Sequence, residues 1–192
     1  SRLSSIHLSA LGITDAVLGI LETAFNPNLV GTSGGYAALI HGGPFANIAH
    51  GCSSLASLKT ATNYADYVVT EAGFGADAGA MKFIDILTRD NKFDLCASVL
   101  VTTIRALKEC GDGELEKGIY NLATHVNNLL LMNSNVIITI NKFDDDSKDD
   151  IDFVKSFSKS LGVECVINEV YQSGGYGALD LAKEIVEIEE KN

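Results

Sequence analysis

Apolar residues along this chain fall into short, nearly continuous runs, separated by longer stretches in which they recur every three or four positions. The short runs predict strands at 36–40, 67–70, 95–101, 136–140 and 163–168. Runs without polar alternation are what strands covered on both faces show. The longer stretches predict helices at 14–24, 46–63, 79–88, 114–131, 149–161 and 178–190. Acidic residues between 147 and 152 sit at one helix start, where the helix dipole favours them, and Gly162 closes that helix. Strands alternating with helices give βαβ units, so the expected fold class is α/β, a mainly parallel sheet flanked by helices. Neither an internal repeat nor linker composition interrupts the pattern, and 1–192 is read as one domain.

Composition changes this picture little. A chain of 192 residues is long enough to bury a core, and 46% apolar with 20% charged residues is ordinary globular usage. Eighteen glycines against two prolines cluster at a few places and read as tight turns. The net charge of −11 argues against nucleic acid or an anionic membrane as partner, though not against a phosphate held by local amides and a few cations. No stretch approaches transmembrane length and the first residues are no signal peptide, so a cytoplasmic location is expected. Cys52, Cys96, Cys110 and Cys165 are scattered without a C-x-x-C pair and read as reduced thiols. Asp144, Asp145, Asp146, Asp149, Asp150 and Asp152 lack the spacing of a calcium loop and read as a solvated helix start. The abrupt start at Ser1, without an initiator methionine, points to a fragment, a processed chain or an incomplete one.

Candidate chemistry lies after each predicted strand. The first runs into His41-Gly42-Gly43-Pro44-Phe45-Ala46-Asn47, the second into Glu71-Ala72-Gly73-Phe74-Gly75-Ala76-Asp77, and the third into Thr102-Thr103-Ile104-Arg105. The fourth ends in Asn141-Lys142-Phe143, and the fifth in Glu169-Val170-Tyr171-Gln172-Ser173-Gly174-Gly175. Open parallel sheets bind ligands beyond the carboxyl ends of their strands, so five such strings predict one composite site. In the first loop the amides of Phe45, Ala46 and Asn47 could hold a small anion such as formate or phosphate, or the loop is a plain turn with His41 and His50 structural. Glu71 stands where a magnesium-side acid would, with Gly73 and Gly75 allowing close approach, or it merely caps or pairs. Asp77 is expected to cap the next helix. Asn141 can face a purine with donor and acceptor, or close a turn. Tyr171 and Tyr176 flank Gly174-Gly175 and can stack on a flat ring, or pack. Arg105 and Lys108 add positive charge at the edge.

At these residues the chain resembles the formate–tetrahydrofolate ligase family. The string from Ala38 to Gly51, centred on His41-Gly42-Gly43-Pro44-Phe45-Ala46-Asn47, is similar to its most distinctive segment, and Ala65 to Asp77 matches a second. Val101-Thr102-Thr103-Ile104-Arg105-Ala106-Leu107-Lys108 resembles the signature VATVRALK, with Thr102 in place of alanine. Asn26-Pro27-Asn28-Leu29-Val30 also fits, so the resemblance runs from about Leu11 to Lys183. It implies a P-loop-NTPase-like architecture and ATP-dependent joining of formate to tetrahydrofolate through formyl phosphate, giving 10-formyltetrahydrofolate. Implied with it are Mg2+, tetrahydrofolate as substrate, a monovalent cation as an open candidate, and a homo-oligomer. On that reading Gly43, Phe45, Ala46, Asn47 and Arg105 serve formate or the mixed anhydride. Glu71 stands on the magnesium side, and Gly73, Gly75, Asn141, Tyr171, Gly174 and Gly175 line the nucleotide or ring sites, with Tyr171 where relatives carry Trp.

Departures accompany the matches. Family members are about three times longer, and no G-x-x-x-x-G-K-S/T phosphate loop occurs in these 192 residues. Cys110-Gly111-Asp112 stands where the family has a His-Gly-Gly turn. Three readings follow: the central part of a larger ligase, a split enzyme whose partner chain carries the phosphate loop, or a non-catalytic binding module. Without that loop, the chain by itself is expected to lack ligase activity.

Overall fold

The computed structural model describes residues 7–41, 53–73, 75–91, 93–132 and 135–191. It divides into two compact units, Ser1–Glu71 and Ala72–Asn192.

In the first unit, helix α1 (Thr14–Leu21) buries none of its residues, and a single 3-10 turn, Glu22–Ala24, continues it. A strand not foreseen from the sequence, β1 (Asn28–Gly31), pairs antiparallel with β2 (Ala37–Ile40), joined by a turn in which Gly35 adopts φ 81°. The first expected strand therefore belongs to a hairpin and not to the parallel sheet. Helix α2 (Leu55–Ala61) starts where Ser54 accepts the Ser57 N–H at 3.1 Å. The expected strand at 67–70 does not form. Val69 is 92% exposed there, and no described strand pairs with the run, so it has no ladder to join.

The second unit carries the α/β sheet. A helical run over 76–91, α3, is wound as π-helix over Ala76–Ala80 and Phe83–Thr88. Its N-cap is Gly75, in extended conformation, not Asp77 as expected. The helix begins at Ala76, which leaves Asp77 in the first turn, where its charge still complements the dipole. Strands β3 (Ser98–Thr102), β4 (Val136–Asn141) and β5 (Glu164–Asn168) form a parallel sheet in that order, with Thr102 opposite Ile140 and Asn141 opposite Asn168.

Helices α4 (Ile104–Cys110) and α5 (Leu115–Leu131) connect β3 to β4, and α6 (Lys148–Ser160) connects β4 to β5. After β5 come a short helix α7 (Val170–Ser173), the 3-10 turn Gly174–Ala178, and α8 (Leu179–Lys191). Hydroxyls open two of the connections: Thr103 accepts the Ala106 N–H at 3.0 Å, and Ser147 accepts the Asp150 N–H at 3.1 Å. Gly162, at φ 76°, ends α6 as the sequence predicts.

The core follows from spacing. Leu115, Ile119, Leu122, Val126 and Leu129 form one buried stripe of α5, and pack with Ile104 and Leu107 of α4, Val136, Ile138 and Ile140 of β4, and Ile151 and Val154 of α6. On the opposite face of β4, Ile137 and Thr139 are buried too, and α8 packs on β4 and β5. Among the described residues of this sheet only the central strand is covered along nearly its whole length; β3 and β5 flank it and are half-buried.

Candidate functional site

In a parallel sheet all carboxyl ends lie on one side, so the strings after β3, β4 and β5 must share an edge, and their side chains are knitted together there. Asn168 donates from Nδ2 to Oδ1 of Asn141 at 2.9 Å, while its own Oδ1 accepts the Val170 N–H at 3.0 Å. Lys142 reaches Glu169 at 2.7 Å, and Gln172 Nε2 lies 3.3 Å from both the Lys142 carbonyl and the Asp144 carboxylate. From α4, Arg105 donates to Asp145 at 2.6 Å and its guanidinium lies 4.1 Å from the ring centre of Phe143. One turn on, Lys108 donates to Asp150 at 2.8 Å.

These pairs set the electrostatics. The hydrogen bond from Arg105 holds the Asp145 carboxyl below its ordinary range, and that from Lys108, joined by Ser147, does the same for Asp150. Conversely, Asp150 and Glu169 raise the ammonium groups of Lys108 and Lys142. The acidic run after β4 is thus more than a solvated helix start. Asp145 and Asp150 anchor the loop to α4, Asp144 meets Gln172, and Asp146 accepts the Phe143 N–H at 2.8 Å.

Arg105 and Asn141 lie on this rim, both exposed. Arg105 is already paired, and Asn141 has committed its oxygen once, leaving its NH2 group to face outward. Tyr171, next to Gln172 in α7, is 97% exposed, a bare aromatic face. Gly174 takes φ 58°, which suits glycine, while Gly175 has open space around it. A Cβ at Gly177 would run into Glu169, so the whole α7 turn folds tightly back on the end of β5.

Gly73 and Gly75 lie in the second unit, in the turn before α3. Gly79 packs on the Gly73 backbone, and a side chain at Gly75 would collide with the Asp77 carboxylate, so the helix itself requires these close approaches. Glu71 is exposed at the end of the first unit. Gly43, Phe45, Ala46 and Asn47, and with them the candidate anion loop, lie outside the described residues. His41, which precedes that loop, is braced through both ring nitrogens: Nε2 to the Ala24 carbonyl and Nδ1 to the Ser54 hydroxyl, each at 2.7 Å. That favours its structural reading. Among the described residues no group of three His, Cys, Asp or Glu side chains could hold a metal ion by itself.

Sequence reasoning missed Asn168 as a member of the rim, gave Lys142, Glu169 and Gln172 only as parts of their strings with no role of their own, and missed His125, which lies beside Gly75 and Asp77. An Asn at the end of each of two neighbouring parallel strands was a legible signal for the first. Nothing in the spacing marked His125.

Comparison with known proteins agrees with the strings. The family model described as formate–tetrahydrofolate ligase matches residues 2–192. The formate–tetrahydrofolate ligase of Staphylococcus aureus (strain JH9) is 44% identical over 194 residues, spanning 95% of this chain and 35% of the relative. That of Campylobacter concisus is 44% identical over 198 residues, with 97% and 36% covered. That of Caldicellulosiruptor saccharolyticus is 43% identical over 195 residues, with 95% and 35% covered. The chain spans about a third of the length of these curated relatives. With a matching family model along nearly its whole length and the α/β strand-end rim in place, the chain belongs to the formate–tetrahydrofolate ligase family.

Proposed function

We propose that this chain is the central part of an ATP-dependent enzyme joining formate to tetrahydrofolate, and that it supplies nucleotide- and substrate-facing groups to a site completed by further polypeptide. The observation that carries the reading is the cross-linked rim, where three successive strand ends present Arg105, Asn141 and Tyr171 together.

Each group suits a task by its chemistry. The Asn141 NH2 can donate to a ring nitrogen or carbonyl of a base, and Tyr171 offers a stacking face. Arg105, held by Asp145 and Phe143, is a pre-oriented guanidinium whose remaining donors fit a carboxylate or phosphate in plane. Glu71 is the carboxylate for magnesium. One exposed carboxylate suits Mg2+, which keeps its waters and takes other oxygens from substrate phosphates, and for that reason no preformed cluster is needed. ATP would give its terminal phosphoryl group to a formate oxygen with release of ADP, making the carbonyl electrophilic as formyl phosphate, and the folate N10 would then take the formyl group, losing its proton as phosphate leaves. Gly43, Phe45, Ala46 and Asn47 keep their proposed place on formate, and Gly73, Gly75, Gly174 and Gly175 on the nucleotide side.

The 192 residues contain no Walker-type phosphate loop, so we propose that the main grip on the triphosphate comes from elsewhere in the assembly. Exposed apolar side chains of the first unit, among them Leu18, Ile20, Phe25 and Leu29, favour its being covered by more polypeptide. That polypeptide is either the rest of a longer chain or a partner chain; the second is the split-enzyme reading. A homo-oligomeric, cytoplasmic enzyme completes the proposal. No helix among the described residues is long and apolar enough to cross a membrane.

The test is formate-dependent ADP release. The chain alone should show none, and the complete assembly should lose it on Glu71→Gln. Turnover by the chain alone, or an unaffected Glu71→Gln assembly, would reject the corresponding part of the reading.

A further inference from the structure

Strand β4 is buried from Val136 to Ile140 and emerges only at its last residue, Asn141. Its register partner on β5 is Asn168, and the pairing continues past both strands, where the Lys142 N–H donates to the Asn168 carbonyl at 3.1 Å. Backbone pairing therefore holds two carboxamides side by side at the rim.

A carboxamide by itself is ambiguous. It carries a donor and an acceptor, and a half-turn exchanges them. Here the hydrogen bonds remove the ambiguity one after the other. The Val170 N–H can only donate, so Asn168 turns its Oδ1 to it, at 3.0 Å. That leaves the Asn168 NH2 to face Asn141, where it donates to Oδ1 at 2.9 Å. With Asn141 reversed, two NH2 groups would meet across that gap, donor against donor. Asn141 is thus held with its oxygen toward Asn168, and its NH2 has no partner among the described residues.

We propose that Asn168 is a positioning residue that fixes Asn141 as a donor, so that the rim meets a ring nitrogen of adenine and not its exocyclic amine. The ring nitrogens N1, N3 and N7 accept hydrogen bonds, whereas the amine donates and gains nothing from a second donor. The role rests on the reading above that Asn141 faces the base. Asn168 touches no ligand; it acts through Asn141. Asn168→Asp reverses the polarity. The new carboxylate still accepts the Val170 N–H but cannot donate, so Asn141 turns its NH2 inward and presents its oxygen.

The test titrates the complete natural polypeptide by calorimetry with Mg·ATP and with its 1-deaza, 3-deaza and 7-deaza analogues, each of which puts C–H in place of one ring nitrogen. Wild type should bind at least one analogue about tenfold more weakly than ATP. In Asn168→Asp that ratio should fall to within about twofold of unity. The ratio is the measure because the added charge repels ATP and its analogue alike, and a general loss of stability leaves it unmoved. Asn168→Ala frees Asn141 to turn and should give a ratio between the two. It carries the test if thermal melting shows Asn168→Asp unfolded. Ratios unchanged by substitution overturn the inference and leave Asn141 at the base. Failure of wild type to bind Mg·ATP, or equal affinity for ATP and all its analogues, overturns the reading beneath it, and the inference with it.

Discussion

Gly118→Ala tests the packing that places Arg105. Helices α4 and α5 meet at Gly111 and Gly118, where a Cβ on Gly118 would overlap the Leu107 carbonyl oxygen and lie 2.7 Å from its carbon. Real Cβ atoms do not come within 3.0 Å of such neighbours, so α4 and α5 must part to admit one methyl group. Parting them pulls Ile104 and Leu107 from Leu115 and Ile119, all four buried. Overpacking of this kind costs about 1–3 kcal/mol, and partial exposure of those four side chains adds on the order of 1–2 kcal/mol. Alanine inside a helix returns about 1 kcal/mol over glycine. The net is a loss of about 1–4 kcal/mol, which at a urea dependence of about 2–3 kcal/mol per molar moves the unfolding midpoint down by roughly 0.3–2 M. Urea titration followed by circular dichroism measures it. Gly19→Ala is the control, because a Cβ there meets nothing and only helix propensity acts; its midpoint should hold or rise. A Gly118→Ala midpoint equal to or above wild type would refute the contact, and with it the account of how α4 holds Arg105 and Lys108 against the loop after β4.

Asp112 is the one residue other than glycine with a positive φ among the described residues, at 52°. Asp112→Gly should relieve that conformation and stabilise by about 0.5–1 kcal/mol, a rise of about 1–4 °C in melting temperature, and a lower melting temperature would show that the side chain earns its place. Asp145 and Asp150 should titrate below the ordinary aspartate value of about 4, because Arg105 and Lys108 hydrogen-bond their charged forms. A depressed folded-state value contributes stability that is present above the unfolded value and lost as pH falls through the folded one, so stability should decline below about pH 4. Carbon-detected NMR of the two carboxyls reads the midpoints, and values at or above an unstructured aspartate would remove the pairs.

The second unit was legible because its elements carry their own signals. Continuous apolar runs gave β3, β4 and β5, a three-to-four spacing gave α5, and the acidic start with Gly162 marked α6 at both ends. The same signal misled in the first unit. Apolarity at 36–40 and 67–70 is real, but the second run joins no strand among the described residues and the first pairs with a strand, Asn28–Gly31, too short to announce itself. A strand needs a neighbour as well as a propensity, and pairing is set by tertiary contacts that a local run does not encode.

Glycine shows where sequence reasoning about a site loses its grip. Before a helix or after a strand, Gly73, Gly75, Gly174 and Gly175 all read as room for a ligand. The packing gives most of them another occupation: Gly79 rests on Gly73, Asp77 leans over Gly75, and Gly174 supplies a left-handed turn. Gly175 has open space on its Cβ side and an ordinary φ; Gly174 has open space too, but its φ of 58° already asks for glycine. A turn built this tightly can still present backbone to a ligand, but the glycines no longer argue for one by themselves. The stronger argument passes to pairings that the spacing did not predict. The Asn141–Asn168 and Lys142–Glu169 pairs exist because two parallel strands end in register, and that register, unlike a glycine pair, forces the polar groups onto one edge.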